Sequence, residues 1–366
     1  MKVLFSIKTI KTSKGGSERV MSQITSCLAK KHDITVLTFD NVNGEIAYPF
    51  NLAVKKIFLG VGDAGKKATL IESIRRIIAL RKFIRSEDPD VVIAFQHSMF
   101  IPMSIALIGI KIPLISSEHI VPKYYSDKRR EYALLLFAGL LSDRITVISE
   151  KIKNMYPLIL RSRMVAISNP VSILKPGLLH NHDSSNGGII LNIGRMEPQK
   201  DQKTLIKAFA LVANNHPDWR LRIIGDGTLK KELEKLADET GFSKRISISG
   251  TVDDISKEYH RAHIFVMSSH YESFGLSTAE AIVHGIPVIG FADCPGTNEL
   301  IVNEENGLLV EGPVRHEALA LSIEKLIVSP KLRQSMGKGG KAILDRFNLD
   351  KVVDEWDQLI HEVAIQ

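Results

Sequence analysis

Between Ile264 and Gly290 the sequence reads IFVMSSHYESFGLSTAEAIVHGIPVIG, an order of residue types that few folds accept. The apolar run from Ile264 to Met267 suits a strand buried on both faces. A polar turn follows, then helical spacing from Ser277 to His284, a left-handed stop at Gly285 and a second strand from Ile286 to Gly290. The start of such a helix directs free N–H groups above the carboxyl edge of a parallel sheet, where anions are favoured. Glu272 and Glu280 bracket the turn and can accept hydroxyls of a ligand carrying phosphate. The same letters fit a capping box, with Glu280 serving only the Ser277 backbone N–H.

The rest of the chain repeats this alternation. Val3–Ile7, Ile34–Phe39, Val91–Phe95, Leu114–Ser116 and 145–148 read as strands separated by helical stretches. After Asn169-Pro170, the run KPGLLHNHDSSNGG reads as a linker. A second series follows: strands at Ile189–Ile193, Leu221–Ile224 and Ile246–Ile248, helices at 201–214 and 229–239, and then the opening stretch. The predicted fold class is α/β, two Rossmann-like domains over residues 1–170 and 189–348 with a linker at 171–188 and a cleft between them. The amphipathic helix at 349–366 is expected to pack back on the first domain.

At 366 residues and 44% hydrophobic content the chain has material for two sizeable cores. Cys27 and Cys294, far apart, exclude a disulfide framework or cysteine zinc site and fit a reducing, cytoplasmic setting. The start of the chain lacks the pattern of a secretory signal, and the most apolar region, 99–115, is broken by Pro102, Gly109, Lys111 and Pro113. A soluble protein is expected. The net charge of +7 is unevenly spread, with 26 Lys+Arg against 14 Asp+Glu over residues 1–168 and 22 against 27 beyond. The basic half calls for an anionic partner, a membrane surface or lipid phosphate. Nucleic acid is disfavoured, because no recognition module or aromatic platform accompanies the charge. The stretch from Lys66 to Arg85 reads as a helix covering the sheet with Leu70, Ile71, Ile74, Ile77, Ile78 and Ile84, its basic face either solvated or against an anionic membrane.

Four loops fall at predicted carboxyl edges, where α/β sheets bind ligands. Lys14-Gly15-Gly16 matches neither a dinucleotide fingerprint nor a P-loop and is either a tight turn or a place of close ligand approach. His119 follows the strand at Leu114 and is either a structural hydrogen-bonder or a group reaching the cleft. Arg195 and Lys200, after Ile189–Ile193, offer a planar fork and a compact charge suited to a diphosphate. Gly225-Asp226-Gly227 provides open backbone beside them. The last two of these loops, with Glu272 and Glu280 on a third edge loop of the same sheet, point to a nucleotide diphosphate, a carboxylate holding the ribose.

These motifs resemble those of family 4 retaining glycosyltransferases of the GT-B fold. The likeness rests on Gly15-Gly16-Ser17-Glu18-Arg19, Ser117-Glu118-His119, Asn169-Pro170, Gly194-Arg195 with Lys200, Gly225-Asp226-Gly227, Glu272-x7-Glu280, Gly285-Ile286-Pro287-Val288 and Asn306-Gly307. It extends to enzymes that build bacterial surface glycans on lipid diphosphates, whose Asp-Cys-Pro-x-Gly-x-x-Glu run is varied here as 293–299.

The resemblance implies a nucleotide-diphospho-sugar donor, UDP-linked by preference, and a glycan acceptor on a lipid diphosphate at the cytoplasmic face of the membrane. Arg195 and Lys200 would neutralise the diphosphate, with N–H groups from Gly275 and Leu276. Glu280 would hold the ribose, Glu272 the transferred sugar, and His119 would sit beside the reacting carbon. Gly16 would close over the phosphates, and Thr251 lies where the base is held. Gly15, Gly194, Gly225 and Phe274 complete the implied donor site. His119, Arg195, Lys200 and Glu272 are the implied catalytic set. The resemblance implies no metal and no cofactor. A nucleotide-sugar isomerase of the same architecture and a two-domain binding protein are the alternatives.

Overall fold

The computed structural model describes residues 1–11, 15–173 and 187–365. Lys14 and residues 174–186 of the expected linker lie outside them. The chain forms two compact units, Met1–Pro170 with Leu349–Gln366, and Val171–Asn348.

The first unit is a seven-stranded parallel sheet in the order β3-β2-β1-β4-β5-β6-β7. Its strands are β1 (Lys2–Ser6), β2 (Asp33–Thr38), β3 (Lys55–Phe58), β4 (Val91–Phe95), β5 (Leu114–Ser117), β6 (Arg144–Val147) and β7 (Met164–Ala166). Leu4 lies opposite Thr35 on one side and Val92 on the other, so the order reverses between β1 and β4. Central strands such as Val91–Phe95 are buried throughout, which is why they read as continuous apolar runs. The edge strands β3 and β7 lack that signature: Lys55–Phe58 begins with two lysines, and Met164–Ala166 has only three residues.

The second unit repeats the plan with six strands in the order β10-β9-β8-β11-β12-β13. They are β8 (Ile189–Ile193), β9 (Arg220–Ile224), β10 (Ile246–Ser249), β11 (Ile264–Met267), β12 (Val288–Phe291) and β13 (Gly307–Val310). All pairings are parallel, and the order reverses between β8 and β11. Its core gathers Leu205, Phe209, Trp219, Leu221, Phe291, Leu319 and Ile323.

Two readings need correction. The helix expected over 66–85 is Leu70–Glu87, closed at its start by a capping box in which Thr69 and Glu72 exchange hydrogen bonds. Its inner face is set by Leu80, Ile84 and Arg76, whereas Leu70, Ile71, Ile74 and Ile78 are exposed. Arg76 turns inward because its Nε and Nη2 both find acceptors there. It bonds Glu72 and the carbonyls of Val61 and Asp63, and lies 4.6 Å from the Phe39 ring centroid. The second correction is at Ser277. Left-handed Gly275 (φ 86°) starts the helix Leu276–Val283 earlier, leaving Ser277 inside the first turn, where its hydroxyl donates to the Ile193 carbonyl at 3.1 Å.

The helix Leu349–Ala364 belongs to the first unit. It buries Val352, Val353, Trp356, Leu359, Ile360 and Val363. The Trp356 ring stacks on Phe95 (5.7 Å, 20°) and tilts against Phe5 (6.3 Å). Trp356→Ala is expected to lower unfolding free energy by ~3–5 kcal/mol in urea titration. A loss below ~1 kcal/mol would show that the helix docks without it.

Glu118, just past β5, is a buried carboxyl, and burial pushes its pKa up to about 8. The Ile120 N–H (2.8 Å) and Tyr125 hydroxyl (3.3 Å) donate to it and offset this only in part. The folded chain therefore holds a proton that the unfolded chain releases near 4.5. Stability from this group is complete below that value and disappears as pH rises to about 8. Glu118→Gln keeps the acceptor without the titration. Its denaturant midpoint, relative to wild type, should rise steadily from pH 5 to pH 8 and then level; a pH-independent difference would disprove the protonated state.

Candidate functional site

In the second unit, three strand-end loops converge at the carboxyl edge, on either side of the point where strand order reverses. The loops after β8 and β11 are tied to each other. His270 N–H donates to the Gln199 carbonyl (2.9 Å) and Gln199 Nε2 to the Tyr271 carbonyl (2.7 Å). Ser268 Oγ donates to the Lys200 carbonyl (2.8 Å). At the centre Lys200 Nζ lies 2.6 Å from Glu272 Oε1, with both side chains largely buried, 13% and 9% exposed. Ser269 Oγ donates to the same oxygen at 2.5 Å.

The β9 loop packs against the β8 loop through backbone. Gly225 (φ 148°) and Gly227 (φ 156°) are obligatory, since a Cβ would stand 2.0 Å from the Gly194 carbonyl oxygen and 2.4 Å from that of Met196. Gly194 N–H donates to the Ile224 carbonyl (3.0 Å), and Gln202 Nε2 donates to the Arg195 carbonyl (3.0 Å), while the Arg195 side chain is exposed. Gly296 (φ 78°) closes on the Glu272 carbonyl in the same way, and Glu272 N–H donates to the Pro295 carbonyl (3.0 Å).

The helix Leu276–Val283 starts at this edge with Gly275 as its cap, and carries the buried Glu280. Tyr259 hydroxyl donates to Glu280 Oε2 at 2.8 Å, and the His284 ring stacks on Tyr259 (5.0 Å, 17°). Thr251 is exposed beyond β10. Phe274 differs from the expectation of a ligand contact: its ring is buried edge-on against Phe347 (5.0 Å, 86°), leaving only its backbone to serve a ligand.

His119 and the glycine pair belong to the first unit. His119 is buried, stacked on Phe95 (4.9 Å, 26°), and burial pulls its pKa down to about 4, so it is neutral near pH 7. Its Nε2 lies 2.9 Å from Ser117 Oγ, which accepts from Thr146 Oγ1 at 2.8 Å. Gly15 is extended (φ −84°) and Gly16 is the first residue of the helix Gly16–Leu28, so this pair is a helix start rather than a left-handed turn. At the same edge Gln96 takes the strained value φ 65° where β4 hands over to the helix His97–Ala106.

Sequence reasoning missed the residues that hold these groups in place. Arg315 opens the helix Arg315–Ile327 and bonds the carbonyls of Ser268 (3.2 Å) and Ser269 (3.3 Å). It also pairs with Asp293 (3.1 Å) and lies 3.5 Å from the Phe291 ring centroid. Neither Arg315 nor Tyr259 stands in a recognisable motif; each is far in sequence from the loop it fixes.

Cations and the N–H groups of a helix start favour anionic oxygens, and buried carboxylates accept from hydroxyls. The edge of the second unit thus suits a hydroxylated phosphate ester. Among the described residues one group of side chains stands close enough to ligate a metal together, His32, Asp357 and His361 of the first unit.

Residues 14–173 match the family model of Glycosyltransferase Family 4, and residues 181–343 that of Glycosyl transferases group 1. A GalNAc-α-(1→4)-GalNAc-α-(1→3)-diNAcBac-PP-undecaprenol α-1,4-N-acetyl-D-galactosaminyltransferase of Campylobacter jejuni is 27% identical over 99% of both chains. An uncharacterized glycosyltransferase of Haemophilus influenzae is 24% identical over 95% of this chain and 97% of its own. Among solved structures, sucrose-phosphate synthase from Thermosynechococcus elongatus superposes with a TM-score of 0.81 at 19% identity, covering 98% of each chain. Anabaena HepE in complex with UDP and glucose gives 0.78 at 19% identity over 99% of each. The chain belongs to the glycosyltransferases of the GT-B fold, with a family 4 domain followed by a group 1 domain.

Proposed function

We propose that this glycosyltransferase moves a hexose or N-acetylhexosamine, with retention, from a UDP-sugar to a glycan acceptor carried on a lipid diphosphate. The observation that carries the reading is the edge joining Arg195, Lys200, Glu272, Glu280 and the start of Leu276–Val283. Arg195 and Lys200 take the diphosphate, aided by N–H groups of Gly275 and Leu276. Glu280, braced by Tyr259, takes the ribose hydroxyls. Glu272 exchanges Lys200 for hydroxyls of the sugar, and neutral His119 donates to the sugar near the reacting carbon. The acceptor hydroxyl attacks the anomeric carbon on the face from which the diphosphate leaves, the glycosidic bond to phosphate breaks, and the leaving phosphate oxygen takes the proton. Stabilisation of that departing charge is the main catalytic contribution, and no metal is required. UDP in the HepE structure and the undecaprenol named for the C. jejuni relative support this choice of donor and acceptor.

The first unit offers a surface for such an acceptor. Leu70, Ile71, Ile74 and Ile78 are exposed on one helix, and Leu134, Phe137 and Leu140 on the helix Arg129–Leu140. Lys67, in the loop before the first helix, pairs with Glu131 of the second (2.8 Å), and Arg75, Lys82, Arg129 and Arg130 of these helices are exposed as well. Exposed apolar side chains and cations on the same helices suit the surface of an anionic bilayer. No helix among the described residues is long and apolar enough to cross a membrane.

Transfer from UDP-sugars to an undecaprenyl-diphosphate-linked acceptor, in EDTA, with the product's anomeric configuration read by NMR, tests the reaction. Lys200→Ala is expected to lower kcat/KM by ~100-fold or more; full activity would exclude the phosphate role. The double variant Ile74→Asp, Ile78→Asp should sediment with phosphatidylglycerol vesicles at least ~10-fold more weakly while turning over a short water-soluble acceptor normally. Equal sedimentation would exclude this face as the membrane contact.

A further inference from the structure

We infer that His32, Asp357 and His361 form a site for a borderline divalent cation of the Zn2+ or Ni2+ class, separate from the donor-binding edge. The site clamps the last helix of the chain to the end of the first. His32 follows the helix Gly16–Leu28, its N–H donating to the Leu28 carbonyl (3.0 Å), while Asp357 and His361 are one turn apart on Leu349–Ala364. One ligating atom from each lies within 4.8 Å of the others. Asp357 Oδ1 is 2.6 Å from His32 Nε2 and 3.3 Å from His361 Nδ1. Bonds of ~2.0–2.2 Å in a tetrahedral site put ligand atoms about 3.4 Å apart. The second separation fits as it stands, and the first needs an opening of about 0.8 Å.

The donor set selects the metal. Two imidazoles and one carboxylate suit zinc and nickel, whereas magnesium and calcium require more oxygens. His32 is buried, with its side chain 3% exposed; its Nε2 donates to Asp357 Oδ1 in the metal-free chain, and its Nδ1 has no partner among the described residues, so moving the proton to Nδ1 frees the Nε2 lone pair without breaking another contact. His361, 53% exposed, opens the site to solvent and leaves room for a water as fourth ligand. Without metal, Lys31 places a positive charge beside Asp357. Lys31 Nζ lies 2.7 Å from Asp357 Oδ2 and 3.5 Å from Asp354, and His361 Nδ1 also meets the Asp357 carbonyl at 2.8 Å. A bound cation displaces the imidazole protons, while Lys31, half exposed, retains Asp354.

The full chain, stripped with chelator and dialysed, is titrated with ZnCl2 and separately with MgCl2, by calorimetry and thermal unfolding. One Zn2+ per chain is expected, raising Tm by about 3–6 °C at ~100-fold excess over Kd, with no response to Mg2+. His361→Ala should unfold within about 2 °C of metal-free wild type and bind Zn2+ at least tenfold more weakly, and His32→Gln should lose the shift as well. A wild-type chain unmoved by Zn2+, or a shift that survives in both variants, would overturn the assignment.

Discussion

The buried pair of Lys200 and Glu272 is the contact around which the second unit's edge is organised. Two charges removed from water need close approach and further hydrogen bonds to offset desolvation. Here they have both: a 2.6 Å separation and the Ser269 hydroxyl on the same carboxylate oxygen. Removing either partner leaves an uncompensated charge, a loss of roughly 3–5 kcal/mol in comparable buried pairs. The loops that deliver the two residues are accordingly overdetermined. Backbone and side-chain hydrogen bonds join them, Arg315 pins the second from beneath, and glycines let two neighbouring loops close to carbonyl contact. The ammonium and the carboxylate hold each other ready until a ligand offers each a different partner.

The two units share a plan because parallel sheets with helices on both faces obey the same rules of connection. In each, strand order reverses beside the first strand, and the polar groups of interest gather at that reversal. They differ in the outward surface. The second unit hides most large apolar side chains, whereas the first exposes isoleucines and leucines of two helices that also carry exposed arginines and lysines.

Most of this was legible in the sequence where chemistry is local. Strands buried on both faces announce themselves as apolar runs, so β4, β8 and β11 fell on the expected residues. Glycine turns and the spacing of Glu272 and Glu280 likewise marked the loops at the second sheet's edge. What was illegible depends on partners remote in the chain. Periodicity shows that the helix Leu70–Glu87 is two-faced, but the buried face was decided by Arg76, whose acceptors include carbonyls of the preceding loop. Ser277 matched a capping box by its letters, and the left-handed Gly275 beside it moved the helix start. Tyr259 and Arg315 carry no motif because their work is to brace other residues, and bracing leaves a trace only in three dimensions.

The final helix gives the chain an uneven divisibility. The second unit is one continuous run, Val171–Asn348, whereas the first is assembled from both ends of the sequence. A fragment stopping at Pro170 would bare the aromatic wall of Phe5 and Phe95 that Trp356 covers. On the ribosome, the first unit must therefore wait for the helix Leu349–Ala364 to emerge before its core is closed, although its seven strands were made before any of the second unit. Closure of the N-terminal core thus follows synthesis of the whole second unit, whose folding falls within that interval.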